Sequence, residues 1–235
     1  MISVIYEDEN FIGLSKPAGM LLHETVKSKE QIAKSEGTLV DWLVKNYPEV
    51  KNVGDAPQVR PGIVHRLDKE TSGVLVVARN QKSFEYLKKL FQEHKIIKKY
   101  IALVHGRLEG NGVINAPIGL KPGTVKRSIR AKNMKMVKEA VTEYKSLKNF
   151  EKDGEFFTLV ELTPKTGRTH QLRVHLASIS HPVVGDILYG PKSNSLGMKR
   201  QFLHANSLEF VNQEGTRLRL EAGLPRELEE TLSAL

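Results

Sequence analysis

The chain opens with alternating apolar and polar residues in SVIYEDENFIGLSKPAG, broken by an acidic, Asn-containing turn. A period of two predicts a β-hairpin pairing Val4–Tyr6 with Phe11–Leu14. After a polar stretch, GTLVDWLVKNYP takes up helical spacing and predicts a short helix stopped by Pro48. GVLVVA has no polar position, which suits a strand covered on both faces. Asn80 follows as the cap of a helix in which Phe84, Leu87, Phe91 and His94 recur at helical spacing. KKYIALVHG, AVTEYKSL and GEFFTLVELTP are rich in β-branched and aromatic residues and predict further strands. In TPKTGRTHQLRVHLASISHPVVGD, Thr169 is the expected N-cap. Leu172, Leu176 and Ile179 fall at i, i+4 and i+7 of a helix about three turns long. Arg173 lies off that apolar stripe, where it can reach inward. GLPRELEETLSAL predicts a closing helix with Pro225 at its first position and Leu224, Leu228 and Leu232 on one face.

The number and order of these strands predict an α+β fold, a large mixed or mainly antiparallel sheet flanked by helices and loops. With no internal repeat and no linker rich in Pro, Gly or Ser, residues 1–235 read as one domain. Apolar residues make up 40% and charged residues 27%, as in a soluble globular protein with a sizeable core. The absence of cysteine excludes disulfides, a thiolate nucleophile and Cys-based metal sites, and fits a reducing compartment. No signal-like start and no long apolar run occur, so a cytoplasmic location without membrane partners is expected.

Charge adds a direction. Thirty-six Lys and Arg against 27 Asp and Glu leave +9, a balance that favours polyanions. The segment KPGTVKRSIRAKNMKMVK, Lys121 to Lys138, carries seven cations and no acid. It reads either as a solvated loop or as a loop lying along a phosphate backbone.

The densest chemistry lies in VHRLDKETSGVLVVARN, Val64 to Asn80, where Asp68 stands between a basic pair and an apolar strand. Read alone, Asp68 suits a turn, since aspartate readily bonds nearby backbone N–H groups. Paired-carboxylate chemistry would combine it with Glu70 or Asp186. A Ser-His-Asp hydrolase would use Ser72, which lacks the G-x-S-x-G elbow. His170 and His175 are five apart, a poor spacing for two metal ligands on one helix face. No phosphate-cradling glycine fingerprint occurs.

HRLDKETSGVLVVARN resembles the His-Arg-Leu-Asp-x-x-Thr-Ser-Gly signature of the RluA-type pseudouridine synthases. KPAG at Lys16, KKYIALVHG at Lys98, TGRTHQLRVHLA at Thr166, HPVVGDILYG at His181 and FLHANSLEF at Phe202 are similar to that family's other blocks, in the same order. The chain departs from the pattern at Ser15, where Asn is usual, and at Val211-Asn212, where His-Pro is usual. Family blocks begin almost at Met1, with no S4 domain ahead of them, so RNA selection is expected from the catalytic domain itself.

The resemblance implies an isomerase that breaks the N1–C1′ bond of a uridine in ribosomal or transfer RNA, turns the base and rejoins it through C5. It implies no cofactor and no metal. Asp68 is implied as the catalytic carboxylate, acting at C1′, at C6 or through a glycal. Tyr100 would pack on the target base and accept the C5 proton. Arg173 would pair with Asp68, and Leu172 would line the pocket. Arg66 would fill the stack vacated by the flipped uridine, a step that costs a few kcal/mol, with His65 beside it in the substrate-binding set. Lys126, Arg127, Arg130 and Lys132 are the expected phosphate contacts of the basic loop. The expected partner is RNA, not DNA or a membrane, and the expected state is a monomer. A competing class is a non-catalytic RNA-binding or ribosome-assembly protein on the same fold. The joint presence of Asp68, Tyr100 and Arg173 argues against it, because binding alone needs no carboxylate in a basic groove. An RNA or nucleoside hydrolase is a third class, distinguished by release of free uracil.

Overall fold

A computed structural model of the chain describes residues 1–23, 37–124, 126–130, 133–191 and 196–235. The chain forms two compact units, Met1–Ile97 with Ala205–Gly223, and Lys98–His204 with Leu224–Leu235.

In the first unit the opening alternation forms a hairpin of β1 (Ser3–Glu7) and β2 (Phe11–Lys16). Asp8 makes its turn by accepting from the Asn10 and Phe11 amides at 2.7 and 2.6 Å. Helix α1 (Leu39–Asn46) begins with a reciprocal Thr38–Asp41 capping box and gives way to a 3-10 turn from Pro48, as the proline requires. Strand β3 (Ser72–Ala78) is buried at every position and pairs with β2 in a register that sets Lys16 opposite Gly73. Asn80 caps α2 (Gln81–Gln92), whose Phe84, Leu87 and Leu90 enter the core. His94, expected on that helix, lies past its end at φ 55°. In this unit β3 is followed by the later part of β11 (Leu203–Val211) and then by β12 (Arg217–Glu221). Gly73 (φ 116°) permits close packing there: a Cβ on it would lie 2.1 Å from the Ala205 carbonyl oxygen.

The second unit is built on β4 (Ile97–His105), β10 (Glu155–Pro164), β9 (Val141–Lys152) and β5 (Asn111–Asn115), adjacent in that order. The pairings of β4 with β10, β10 with β9 and β9 with β5 are all antiparallel. Its core gathers Leu103, Phe157, Val160, Leu162, Leu176, Val183 and Phe202. Helix α3 (Gln171–Ser178) has eight residues, shorter than the three turns expected. Its cap is His170 rather than Thr169, in a left-handed conformation with no side-chain capping bond. The closing helix α4 (Arg226–Ser233) has Pro225 at its cap, one place earlier than expected, and buries Leu228 fully.

The basic segment departs most from expectation. It is not simply a loop: β7 (Arg127–Ser128) and β8 (Lys135–Lys138) flank β6 (Ile118–Leu120) in a small antiparallel sheet. Ile118, Ala140 and Val174 pack beneath it.

Candidate active site

The segment leading to Asp68 runs beside β3, through an Ile63–Val77 bridge and a 2.9 Å bond from the Ala78 amide to the Gly62 carbonyl. His65 continues this contact, its Nε2 accepting from the Val76 amide at 3.0 Å and its ring stacking on Phe91. A ring nitrogen that accepts an amide is unprotonated, so His65 is neutral with its proton on Nδ1. Leu67 is buried, whereas the flanking Arg66 is exposed. Burial and the charges of Arg66 and Arg60 hold His23 below the ordinary histidine range.

Asp68 opens a four-residue turn closed by the Thr71 amide on the Asp68 carbonyl at 3.1 Å. What fixes the turn is Lys16, only 1% exposed. Its ammonium donates to the carbonyls of Pro17, Met20 and Lys69 at 2.7, 3.1 and 3.0 Å. The Gly19 amide adds a bond to Lys69 O at 2.9 Å. One buried cation thus staples the KPAG corner to the residue after Asp68. A buried ammonium is tolerated only when its three protons have acceptors, which makes this geometry hard to deform.

In the second unit Tyr100 lies on β4 opposite Leu162 and packs, partly buried, on the core. Lys98 sits two residues earlier and so on the same face of the strand. Burial pulls its ammonium down to about 8.

Arg173 is buried on α3, and Asp186 holds it in a bidentate pair: Nε donates to Oδ2 at 2.6 Å and Nη2 to Oδ1 at 2.8 Å. The Asp186 side chain has no exposure, and its Oδ1 also accepts the Leu188 and Tyr189 amides at 2.9 and 3.1 Å. Sequence reasoning weighs Asp186 only as a second carboxylate for Asp68. Its partnership with Arg173 depends on how the chain folds back after α3, which no local pattern reports. Leu172 is buried beside Arg173 and belongs to the core.

Two further residues of the TGRTHQLRVH block fix α3. Gln171 Oε1 accepts from Thr166 Oγ1 and the Arg168 amide at 2.7 and 3.0 Å, while its Nε2 donates to Val141 O and Thr142 Oγ1, both at 3.0 Å. Thr142 Oγ1 lies 2.9 Å from His175 Nδ1, and His175 Nε2 lies 3.0 Å from the Ala116 carbonyl. A carbonyl only accepts, so the proton is on Nε2 and Nδ1 accepts from the threonine hydroxyl. Burial holds this histidine below its ordinary pKa.

Of the expected phosphate contacts, Lys126 and Arg130 are exposed and Arg127 is half-buried. Lys132 lies outside the described residues. Among the described residues no group of His, Asp and Glu is placed to hold a metal ion, and no helix is long and apolar enough to cross a membrane.

The sequence model of the RNA pseudouridylate synthase family matches residues 10–178, a span that holds both the Asp68 turn and α3. The chain belongs to this family. It is similar to an uncharacterised RNA pseudouridine synthase of Aquifex aeolicus, with 43% identity over 196 residues. That match covers 83% of this chain but 58% of the relative. Ribosomal large subunit pseudouridine synthase D of Xanthomonas campestris is 36% identical over 248 aligned positions, covering all of this chain and 69% of the relative. The solved structure of human RNA pseudouridylate synthase domain containing 1 is 27% identical, with a TM-score of 0.76 over 98% of this chain and 87% of that one. This pseudouridylate synthase fold bears out the α+β expectation.

Replacing Lys16 with Met keeps the volume but takes the ammonium away from three carbonyls, of which Lys69 O keeps the Gly19 amide. Lys16→Met should cost about 2–4 kcal/mol, read from denaturant midpoints at unchanged m-value; a loss under about 1 kcal/mol would mean that the ammonium does not hold the turn.

His175 sets a pH dependence. Its folded pKa lies below an unfolded value of about 6.5, so its stabilising contribution is complete above that pH. It is lost as pH falls through 6.5 towards the folded pKa. The melting temperature should fall between pH 7 and 5, and His175→Gln should make that fall shallower. A fall of equal steepness in the variant would remove His175 as its source.

Proposed function

We propose that the chain is an RNA pseudouridine synthase, an isomerase acting on specific uridines of large-subunit ribosomal RNA. The observation that carries this reading is the family match over residues 10–178, within which HRLDKETSG, the KKY strand and the Arg173 helix all fall. The relatives named as large-subunit synthases favour ribosomal over transfer RNA. That the two units act as one catalytic domain, monomeric and cytoplasmic, belongs to the same proposal.

In this reading a uridine leaves its stack and Arg66 fills the vacancy, its guanidinium stacking on the neighbouring bases. His65 fixes the backbone from which Arg66 projects. Asp68 acts on the ribosyl–base bond, as nucleophile or as a stabilising charge while C1′ or C6 becomes electron-poor. The N1–C1′ bond breaks, the base turns within the pocket, C5 bonds to C1′, and the C5 proton passes to Tyr100. Another proton returns to N1, so substrate and product are isomers. Nothing is oxidised, and no cofactor or metal is called for. Arg173 supplies the charge that orients the Asp68 carboxylate, with Leu172 shaping the apolar side of the pocket. Lys126, Arg127, Arg130 and Lys132 take phosphates, giving affinity and a steep salt dependence.

The test is to incubate the purified protein, without added cofactor, with unmodified ribosomal and transfer RNA transcripts and to map pseudouridine. Conversion at discrete positions of large-subunit RNA, with RNA mass unchanged and no free uracil, is the expected result. Release of uracil would make the protein a hydrolase, and binding without conversion would make it a non-catalytic RNA binder.

A further inference from the structure

Three parts of the second unit meet at Tyr189. Its backbone amide donates to Asp186 Oδ1 at 3.1 Å, so the carboxylate that holds Arg173 also sets where this residue lies. Its ring faces the Arg173 guanidinium, with Cζ 5.1 Å from the ring centroid, inside cation–π range. Its hydroxyl lies 2.9 Å from the Arg127 amide and 2.9 Å from His170 Nδ1. An amide only donates, so the hydroxyl oxygen accepts from Arg127 while it also bonds His170 Nδ1.

Both neighbours give this contact weight. Arg127 forms β7 of the basic sheet, which is fastened a second time where Lys126 Nζ donates to Leu188 O at 3.1 Å. His170 caps α3 at φ 57°, a left-handed conformation unfavourable for a residue with a Cβ and maintained only by its surroundings. The Tyr189 ring also packs on the apolar floor of the basic sheet, formed by Ile118, Ala140 and Val174.

We propose that Tyr189 is a positioning residue that sets the basic sheet and the Arg173 guanidinium in fixed relation, its hydroxyl serving RNA capture and its ring steadying the guanidinium. This rests on the RNA reading above, since the sheet's cations act through phosphates. The two ends of one side chain then have separable effects.

Tyr189→Phe keeps the ring and removes both hydroxyl bonds. With an unmodified large-subunit ribosomal RNA transcript as probe, KM should rise about threefold to tenfold, the cost of a lost hydrogen bond or two, while kcat moves far less. The dependence of log affinity on log salt should flatten, because the sheet's cations no longer lie along one phosphate path. Tyr189→Leu removes the ring too and should lower kcat in addition. When Lys126, Arg127 and Arg130 are all replaced by Ser, Tyr189→Phe should add little further loss of affinity. In the free protein, amide exchange across 126–130 should quicken in the Phe variant while α3 stays protected, a readout that needs no RNA. Equal losses with and without the three cations would overturn the coupling. So would unchanged exchange, or a fall in kcat at constant KM in the Phe variant. Failure of the RNA reading itself shows separately, in a wild-type protein that neither binds nor converts the transcript before any variant is compared.

Discussion

A charge removed from water must be met by fixed partners, and each unit of this protein buries one such charge. In the first unit it is the Lys16 ammonium, answered by three backbone carbonyls, one of them Lys69 O in the Asp68 turn. In the second it is the Arg173 guanidinium, answered by both oxygens of a fully buried Asp186. Desolvating an ion costs several kcal/mol, and only near-ideal geometry recovers it. The surrounding backbone therefore has little freedom: Lys16 fixes where Asp68 begins its turn, and Asp186 fixes both the guanidinium and the two amides that follow it.

The rest of the local structure supports these two points. Strand β3 contributes no polar side chain to the proposed chemistry, yet its register sets Lys16 opposite Gly73, and its Val76 amide holds His65 three residues before Asp68. Gly73 lets β3 approach Ala205 at a distance that a side chain would forbid. Around Arg173, the chain of Thr166, Gln171, Thr142 and His175 hydrogen bonds ties α3 to β9, so the helix bearing the guanidinium moves only with the sheet. Such fully satisfied buried networks rigidify what they hold.

Much of this was legible in the residues, for reasons that differ by element. The opening hairpin and β3 follow from period and apolarity within a few positions, and Asn80 and Pro48 mark helix ends by chemistry confined to one residue. Asp68, Tyr100 and Arg173 stood out through a resemblance in ordered blocks. What stayed hidden depends on contacts distant in sequence. Lys16 takes backbone carbonyls, which carry no side-chain signal. Asp186 lies 13 positions beyond Arg173, across a turn. The cap of α3 is His170 because of a left-handed backbone linked to Tyr189, whereas local preference favours Thr169. The basic segment read as a loop because β7 is two residues long and owes its pairing to β6 rather than to its own composition.

In the proposed reaction a carboxylate on the pinned turn performs the isomerisation. Its most direct measurement is single-turnover conversion of uridine to pseudouridine by Asp68→Asn, which keeps the shape of the side chain and removes its charge. Conversion should fall below detection while the melting temperature and RNA affinity stay close to wild type. Substantial conversion by the variant, on RNA that it binds normally, would contradict the account.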